Sequence, residues 1–578
     1  MDKRYLDFWP KHLPRDLTPP DTSLWDNLDI TTRRFPNKAA ILFFGNAITY
    51  QQLHDDVDAL AGWLQQKGGV QAGDRVLLYM QNSPQFMIGY YAILRANAVV
   101  IPVNPMNKDE EFSHYITDTD AKVALCASEL AEFAKQANDT VPAEQQLTNI
   151  VVAHYADLLP KQYPHPDDAP PPVMQPLLGK QPPLPQGAIQ WNDALAAKCQ
   201  PGAHTAKPDD LAVMPYTSGT TGFPKGCMHT HGTVMHTVLC GALANMLTSD
   251  VISLSVLPLF HVTGMQYGMN ATIYTGATVV LLPRWDREVA ASYISRYKVT
   301  HWTTIPTMVI DLFGSPNIDK FDLSSLRYIG GGGAAMPEAV AKKVRDNFGL
   351  DFLEGYGLSE TIAPTHMNPR HHPKLQCLGI PTFGTDAAIV NPETLEEVAQ
   401  GETGEIIVRG PQVMKGYWRN EAETKKVFIE FEGQTFFRTG DLGKIDEEGY
   451  FFITDRLKRM INASGFKVWP AEVEALLYDH PDIQEACIIG SKDPYRGETV
   501  KAMVVLMEKS KGKVTEQEIV DWAKQHMAAY KAPKLVEFVD ALPKSGSGKV
   551  MWRILQEEEN KRLADVKHGS SVTATASA

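Results

Sequence analysis

The run Tyr216-Thr217-Ser218-Gly219-Thr220-Thr221-Gly222-Phe223-Pro224-Lys225-Gly226 continues from the apolar stretch LAVMPY. Hydroxyls and glycines at this density let backbone and side chains surround an oligophosphate, and Lys225 adds a positive charge. The run reads as a phosphate loop leaving a strand. It is not a Walker A loop, because G-x-x-x-x-G-K-[ST] does not match it. Gly548-Lys549 fails the same pattern, since Pro543 stands where the first glycine belongs and Val550 follows the lysine. Kinase-like and GTPase-like readings therefore lose their main support.

Upstream, TYQQLHDDVDALAGWLQQKG opens with Thr49 followed by Gln52, a capping-box pattern, and places Leu53, Val57, Leu60 and Leu64 on one helix face. An apolar strand over 75–80, a helix over 83–96 and the apolar run AVVIPV come next. Strand, helix, strand implies a parallel sheet flanked by helices. Residues 161–187 are so rich in proline that neither helix nor sheet is expected to continue, and they read as an extended surface excursion. The C-terminal stretch reads as a separate small unit, with helices over 470–478 and 515–527 and strands at EACIIG and KAMVVLM. The charged segment DRLKR marks the boundary, and the small polar tail is expected to be disordered.

The totals exclude other classes. A chain of 578 residues is too long for one core, and 44% hydrophobic with 21% charged residues suits a globular enzyme. A net charge of -13 with scattered Lys and Arg gives no footprint for nucleic acid. Cys126, Cys199, Cys227, Cys240, Cys377 and Cys487 lie far apart without C-x-x-C pairs, so reduced, buried thiols and a cytoplasmic location are expected. The N-terminus has no apolar signal region and no run of about 18 apolar residues occurs, so no transmembrane segment is expected. Peripheral membrane contact and a homodimer stay open. Cys227, His229, His231 and His236 cluster near the loop, but their spacing fits no tetrahedral zinc site.

With the phosphate loop in place, the chain resembles the adenylate-forming superfamily of acyl- and aryl-CoA synthetases, firefly luciferases and peptide-synthetase adenylation domains. The likeness covers roughly residues 25–560 in six ordered motifs. Gly330 to Gly333 with Ala334-Ala335-Met336-Pro337 resembles the glycine-rich adenine-side segment, and Glu354-Gly355-Tyr356-Gly357-Leu358-Ser359-Glu360-Thr361 the next motif. The resemblance implies that Tyr356 stacks on adenine, that Glu360 with Thr221 holds Mg²⁺, and that Thr361 contacts the α-phosphate. Arg438-Thr439-Gly440-Asp441 resembles the ribose site, with Arg456 adding a contact, and Lys544-Ser545-Gly546-Ser547-Gly548-Lys549 the C-terminal catalytic motif. Thr217, Ser218, Gly219, Thr220, Thr221, Lys225, Gly332, Gly333, Ala334, Glu354, Gly355 and Gly357 complete the implied nucleotide set.

The implied fold is α/β: a large domain of several subdomains over 1–455, a hinge at 456–459 pivoting on Lys458, a small mobile α+β domain over 460–565, and a tail over 566–578. Rotation about the hinge would withdraw Lys549 and bring Gly465, Phe466 and Lys467 to coenzyme A. His261, in Pro258-Leu259-Phe260-His261, would line the acyl tunnel as a catalytic-side residue, with Met265, Trp302, Thr303 and Gly332 in its wall. The implied activity is activation of a carboxylic acid, a fatty acid by segment likeness, as acyl-AMP with ATP and Mg²⁺, followed by transfer to coenzyme A. Alternatives are an aryl, branched or short acid, delivery to a carrier protein, or a non-catalytic nucleotide-binding protein. Taken singly, Asp441 reads as a turn residue, Glu360 as a solvated carboxylate and Lys549 as a surface lysine. Only the ordered set gives them chemistry.

Overall fold

The structure, a computed structural model, describes residues 3–217, 224–333, 335–456, 459–463, 466–468, 470–493, 497–544 and 550–572. The expected capping box forms: the Thr49 N–H donates to Gln52 Oε1 at 2.8 Å and the Gln52 N–H to Thr49 Oγ1 at 3.2 Å. It starts helix Tyr50–Gln66, whose Leu53, Val57, Leu60 and Leu64 are fully buried. Ser83 caps the next helix, Pro84–Arg95, by accepting from the Phe86 N–H. Strands Arg75–Tyr79 and Val99–Pro102 pair in parallel, as strand, helix, strand requires.

Two large sheets share the first two thirds of the chain. One has seven strands and is parallel except where His229–Thr230 runs against Leu211–Val213. The other has nine, with a parallel centre from Ala39–Phe43 to Leu353–Leu358 and antiparallel strands at both edges. Apolar residues of both sheets and their helices join one continuous buried core. A third, five-stranded antiparallel sheet over Asp386–Val390, Gly404–Arg409, Phe428–Phe431, Gln434–Ile445 and Phe451–Arg456 has its own cores. The parallel α/β expectation does not contain this layer.

The small unit also forms as expected, with helices Pro470–Leu477 and Glu516–His526 on a sheet in which Ile483–Asp493 and Gly497–Leu506 pair antiparallel. It has a separate core around Ile461, Val473, Ile488, Val504 and Ile519. The handover between units is short. Arg456 ends a strand of the third sheet, while Arg459 donates to Glu474 and to the Ile488 carbonyl of the small unit. Lys458, the expected pivot, lies between them and outside the described residues.

Two expectations need correction. Helix Trp552–Val572 runs through position 566, so the tail read as disordered is helical to Val572. Residues 161–187 are not a loose excursion: they contain turns Pro166–Asp168 and Pro172–Met174 and helix Gln175–Leu178, with Met174 and Leu177 buried. Asp168, fully buried, accepts two hydrogen bonds from the Arg296 guanidinium and one from the Tyr297 hydroxyl, all at 3.0 Å. The segment leaves the seven-stranded sheet and is pinned to helix Arg287–Tyr297 beside the nine-stranded one. A charge taken out of water needs such a bidentate partner. Among the described residues no helix is long and apolar enough to cross a membrane, and all six cysteines are buried free thiols.

Candidate active site

The two ends of the phosphate run pair as the stem of a β-hairpin. Tyr216–Thr217 pairs antiparallel with Lys225–Gly226, and residues 218–223, which carry Ser218, Gly219, Thr220 and Thr221, lie outside the described residues. The stem is braced on both flanks. Tyr216 donates its hydroxyl to Asp118 Oδ2 at 2.5 Å, and His114 Nε2 lies 2.9 Å from the Pro224 carbonyl. Burial and the Asp118 carboxylate push the Tyr216 phenol well above its ordinary range. On the other flank the Trp418 N–H donates to the Gly226 carbonyl at 2.8 Å. Lys225 Nζ lies 2.8 Å from Glu423 Oε2 and 4.5 Å from the centre of the Tyr417 ring. The Tyr417 hydroxyl donates to Glu360 Oε1 at 3.0 Å. Lys225, then Lys426, holds the Glu423 carboxyl down at about 2.

The neighbouring glycines are dictated by backbone packing in strands Tyr328–Gly332 and Leu353–Leu358. A Cβ on Gly331 would fall 1.8 Å from the Thr304 carbonyl oxygen, and one on Gly357 1.7 Å from that of Ala363. Gly333 has φ +90°, a region that favours glycine; Ala334 lies outside the described residues. A Cβ on Gly332 would fall 2.4 Å from the Gly355 carbonyl oxygen. Glycine at 332 is therefore required by the sheet, and a bulkier residue would displace the next strand before it filled a tunnel.

Tyr356, on Leu353–Leu358, donates to Asp441 Oδ2 at 2.6 Å, joining the nine-stranded sheet to the antiparallel one. Asp441 is buried and stands opposite Arg456 in register. Buried Glu405 holds an irregular stretch within strand Gln434–Ile445: Arg438 Nε donates to Oε2 at 2.9 Å and the Gly440 N–H to Oε1 at 3.1 Å, with Gly440 at φ +71°. Glu354 accepts the Gln376 N–H at 2.7 Å, and burial pushes its carboxyl up to about 7. It fastens the 374–377 loop.

The Thr361 assignment changes. Thr361 is fully buried and its hydroxyl donates to the Ala363 carbonyl at 2.8 Å. It holds a turn in which Ile362 and Ala363 adopt φ +45° and +110°, conformations that cost on the order of 1–3 kcal/mol each. Ser359, half-buried, is the more accessible hydroxyl of the turn, and its carbonyl meets His229 Nε2 at 2.8 Å.

Asn82, buried, fastens the loop that carries His261, the residue expected on the acyl side. Its Nδ2 donates to the carbonyls of Leu257 (3.0 Å) and Leu282 (3.3 Å), and its Oδ1 accepts the Leu259 N–H at 2.8 Å. The half-buried His261 leads into a π-helical turn, Gly264–Asn270, where Met265 is buried. Trp302 and Thr303 are consecutive in strand His301–Thr304 and so point to opposite faces. Trp302 is fully buried and stacked on Trp285 at 5.5 Å, whereas Thr303 is half-buried. The two cannot line one wall.

The profile of "AMP-binding enzyme" matches residues 28–418, and that of "AMP-binding enzyme C-terminal domain" residues 472–549. The chain belongs to the AMP-binding enzyme family. A long-chain-fatty-acid–CoA ligase of Bacillus subtilis (strain 168) is 37% identical over 97% of this chain and 98% of its own length. A feruloyl-CoA synthase of an Amycolatopsis species is 34% identical over 90% and 95%. The crystal structure of the anthranilate CoA ligase AuaEII with anthranoyl-AMP superimposes with a TM-score of 0.82 at 25% identity, covering 96% of this chain and 99% of the other. This AMP-binding enzyme is an adenylate-forming acid–CoA ligase of the α/β class, a large N-terminal domain with a small C-terminal one.

Of the AMP-binding motifs, the structure brings together Lys225, Glu360, Tyr356 and Asp441 at the meeting of the hairpin, the nine-stranded sheet and the third sheet. The C-terminal motif belongs to the small unit: a bridge between Lys544 and Val550 closes the stretch 545–549, and Lys549 lies outside the described residues. Phe466 and Lys467 sit on strand Phe466–Val468 paired with Ile461–Ala463, and Gly465 lies outside the described residues. Sequence reasoning missed Tyr417, Glu423, Glu405 and Asn82. Asn82 had a local signal, the Gln81-Asn82-Ser83 turn between strand and helix. His229, His231 and His236 bond to three separate groups: the Ser359 carbonyl, the Leu24 N–H and the Phe383 carbonyl.

Proposed function

We propose that this ligase activates a fatty acid as its acyl-adenylate and transfers the acyl group to coenzyme A. The observation that carries the reading is the Tyr356–Asp441 bond, which sets an aromatic face and a carboxylate side by side for adenine and ribose. A carboxylate is a poor electrophile. Its oxygen attacks the α-phosphorus of ATP, pyrophosphate leaves, and AMP becomes the leaving group when the coenzyme A thiolate attacks the acyl carbonyl. Negative charge grows on phosphate oxygens, so the chain's task is positioning and electrostatic support. Glu360 suits Mg²⁺: its carboxylate is a hard oxygen donor oriented by the Tyr417 hydroxyl. Bound there with Thr221, the ion would neutralise oligophosphate charge. Ser359 replaces Thr361 as the hydroxyl offered to the α-phosphate, and Arg456 adds a ribose contact. Thr303, His261 and Met265 face the acid.

Lys549 then serves the first half-reaction, and rotation about Lys458 presents Gly465, Phe466 and Lys467 to the pantetheine arm for the second. The buried free cysteines fit a reducing cytoplasm. The name of the Amycolatopsis relative supports a second reading, an aryl acid as substrate. ATP–pyrophosphate exchange over a panel of acids from acetate to palmitate, with benzoate and a cinnamate, separates them. Long-chain acids should exchange fastest; exchange confined to aromatic acids overturns the fatty-acid reading, and exchange with none overturns the ligase reading.

A further inference from the structure

We propose that Glu423 is a positioning residue that locks the stem of the phosphate loop through Lys225, so that Lys225 places the loop and is not itself a ligand of the oligophosphate. The inference rests on the nucleotide reading of the hairpin. Lys225 is the first described residue of the returning strand, directly opposite Thr217, so its side chain springs from the base of the loop. The ammonium is held by a carboxylate oxygen at 2.8 Å and by the face of the Tyr417 ring. The two side chains are only 16% and 25% exposed, which shields the pair from water and salt.

The partners are themselves fixed. The Glu423 N–H is held by Asn420 Oδ1 at 3.1 Å, the Tyr417 N–H donates to Thr424 Oγ1 at 2.9 Å, and Cys227 and Tyr417 form a β-bridge to the hairpin. The segment 415–424 therefore behaves as a rail along the returning strand, and Glu423 is the point on it where charge meets charge. Tyr417 carries the reference further, since its hydroxyl bonds Glu360. Loop stem and Glu360 are thus located against one phenol. For Lys225 to bind a phosphate as well, the oligophosphate would have to come within reach of the Glu423 carboxylate, an arrangement that like charges oppose.

The test uses the full-length protein with Lys225→Met, Glu423→Ala and the double variant, and calorimetric titration with ATP, pyrophosphate and AMP. If Lys225 acts through the lock, each single variant weakens ATP and pyrophosphate by about the same factor, roughly tenfold, and AMP by less than about twofold. The double variant is then no worse than either single, because both remove the same contact. If instead Glu423→Ala tightens ATP and pyrophosphate while Lys225→Met weakens them, the lysine is a direct ligand with Glu423 as competitor, and the proposal fails. It fails equally if Glu423→Ala leaves all three ligands unchanged, if losses add in the double variant, or if AMP suffers as much as ATP. Acid-dependent exchange by the parent protein tests the ligase reading separately, and its absence would leave the binding comparison intact.

Discussion

The nucleotide edge and the acyl side are built in different ways. At the nucleotide edge, polar side chains from three layers bond one another directly: Tyr356 to Asp441, Tyr417 to Glu360, Lys225 to Glu423. Each contact needs particular atoms at particular places, so the residue types themselves carry information. On the proposed acyl side the wall would be a choice of face, Thr303 or Trp302 on one strand, and of how a π-helical turn disposes Met265. Almost any apolar residue of suitable size serves there. On that reading, motifs announce the reaction and packing selects the acid.

The comparison breaks first at Lys549. Its replacement by alanine should cut adenylate formation roughly 100- to 1000-fold, while thioester formation from supplied acyl-adenylate continues near the parent rate. Equal loss in both half-reactions would remove the division of labour between the two domains.

Glu354 tests whether the polar edge is tuned by burial. Its carboxyl stands at about 7 in the fold against an ordinary 4.5, so the folded state favours the protonated form. The stability it contributes is complete below pH 4.5, declines as pH rises and is lost above about 7. In Glu354→Gln the amide oxygen still accepts the Gln376 N–H but never ionises. The variant should gain on the parent by on the order of 1–3 kcal/mol between pH 4.5 and 8, read from melting temperatures at both. A constant offset would show that the carboxyl does not titrate on folding.

The smallest effects sharpen the contrast. Tyr356→Phe should raise KM for ATP about tenfold and leave KM for the acid unchanged, whereas Thr303→Leu should shift the preferred chain length severalfold and leave KM for ATP unchanged. Steady-state kinetics on an acid series measures both. Crossed effects would mean that the two sides are one pocket.

What could be read in advance follows the same line. The capping box at Thr49 and Gln52, the strand and helix after it and the C-terminal unit are local patterns, and they formed as expected. The third sheet was missed although two of its pairings are local hairpins, closing Phe431 on Gln434 and Ile445 on Phe451; what no local pattern shows are the contacts that tie it to the site, Glu405 to Arg438 and Asp441 to Tyr356. Thr361 was misjudged because the turn that buries it depends on positive φ at Ile362 and Ala363, neither of them glycine. Trp302 and Thr303 could have been separated, since adjacent strand positions never share a face. The proline count at 161–187 spoke against regular structure but was silent about Asp168.

That segment bears on how the chain can be assembled. Ala39–Phe43 must wait for Thr278–Leu281 before its parallel pairing can form, and Asp168 for Arg296 before its charge is neutralised. His229–Thr230, made later than both waiting partners, still belongs to the earlier sheet. The two large sheets are therefore interleaved along the chain: all seven strands of the first are made by Thr230, yet a cut there leaves Ala39–Phe43 without its parallel partner and Asp168 without Arg296. A ribosome releasing this protein from its N-terminus holds an open, carboxylate-bearing strap until helix Arg287–Tyr297 emerges, and the nine-stranded sheet is completed later still, when Ile380–Pro381 is made.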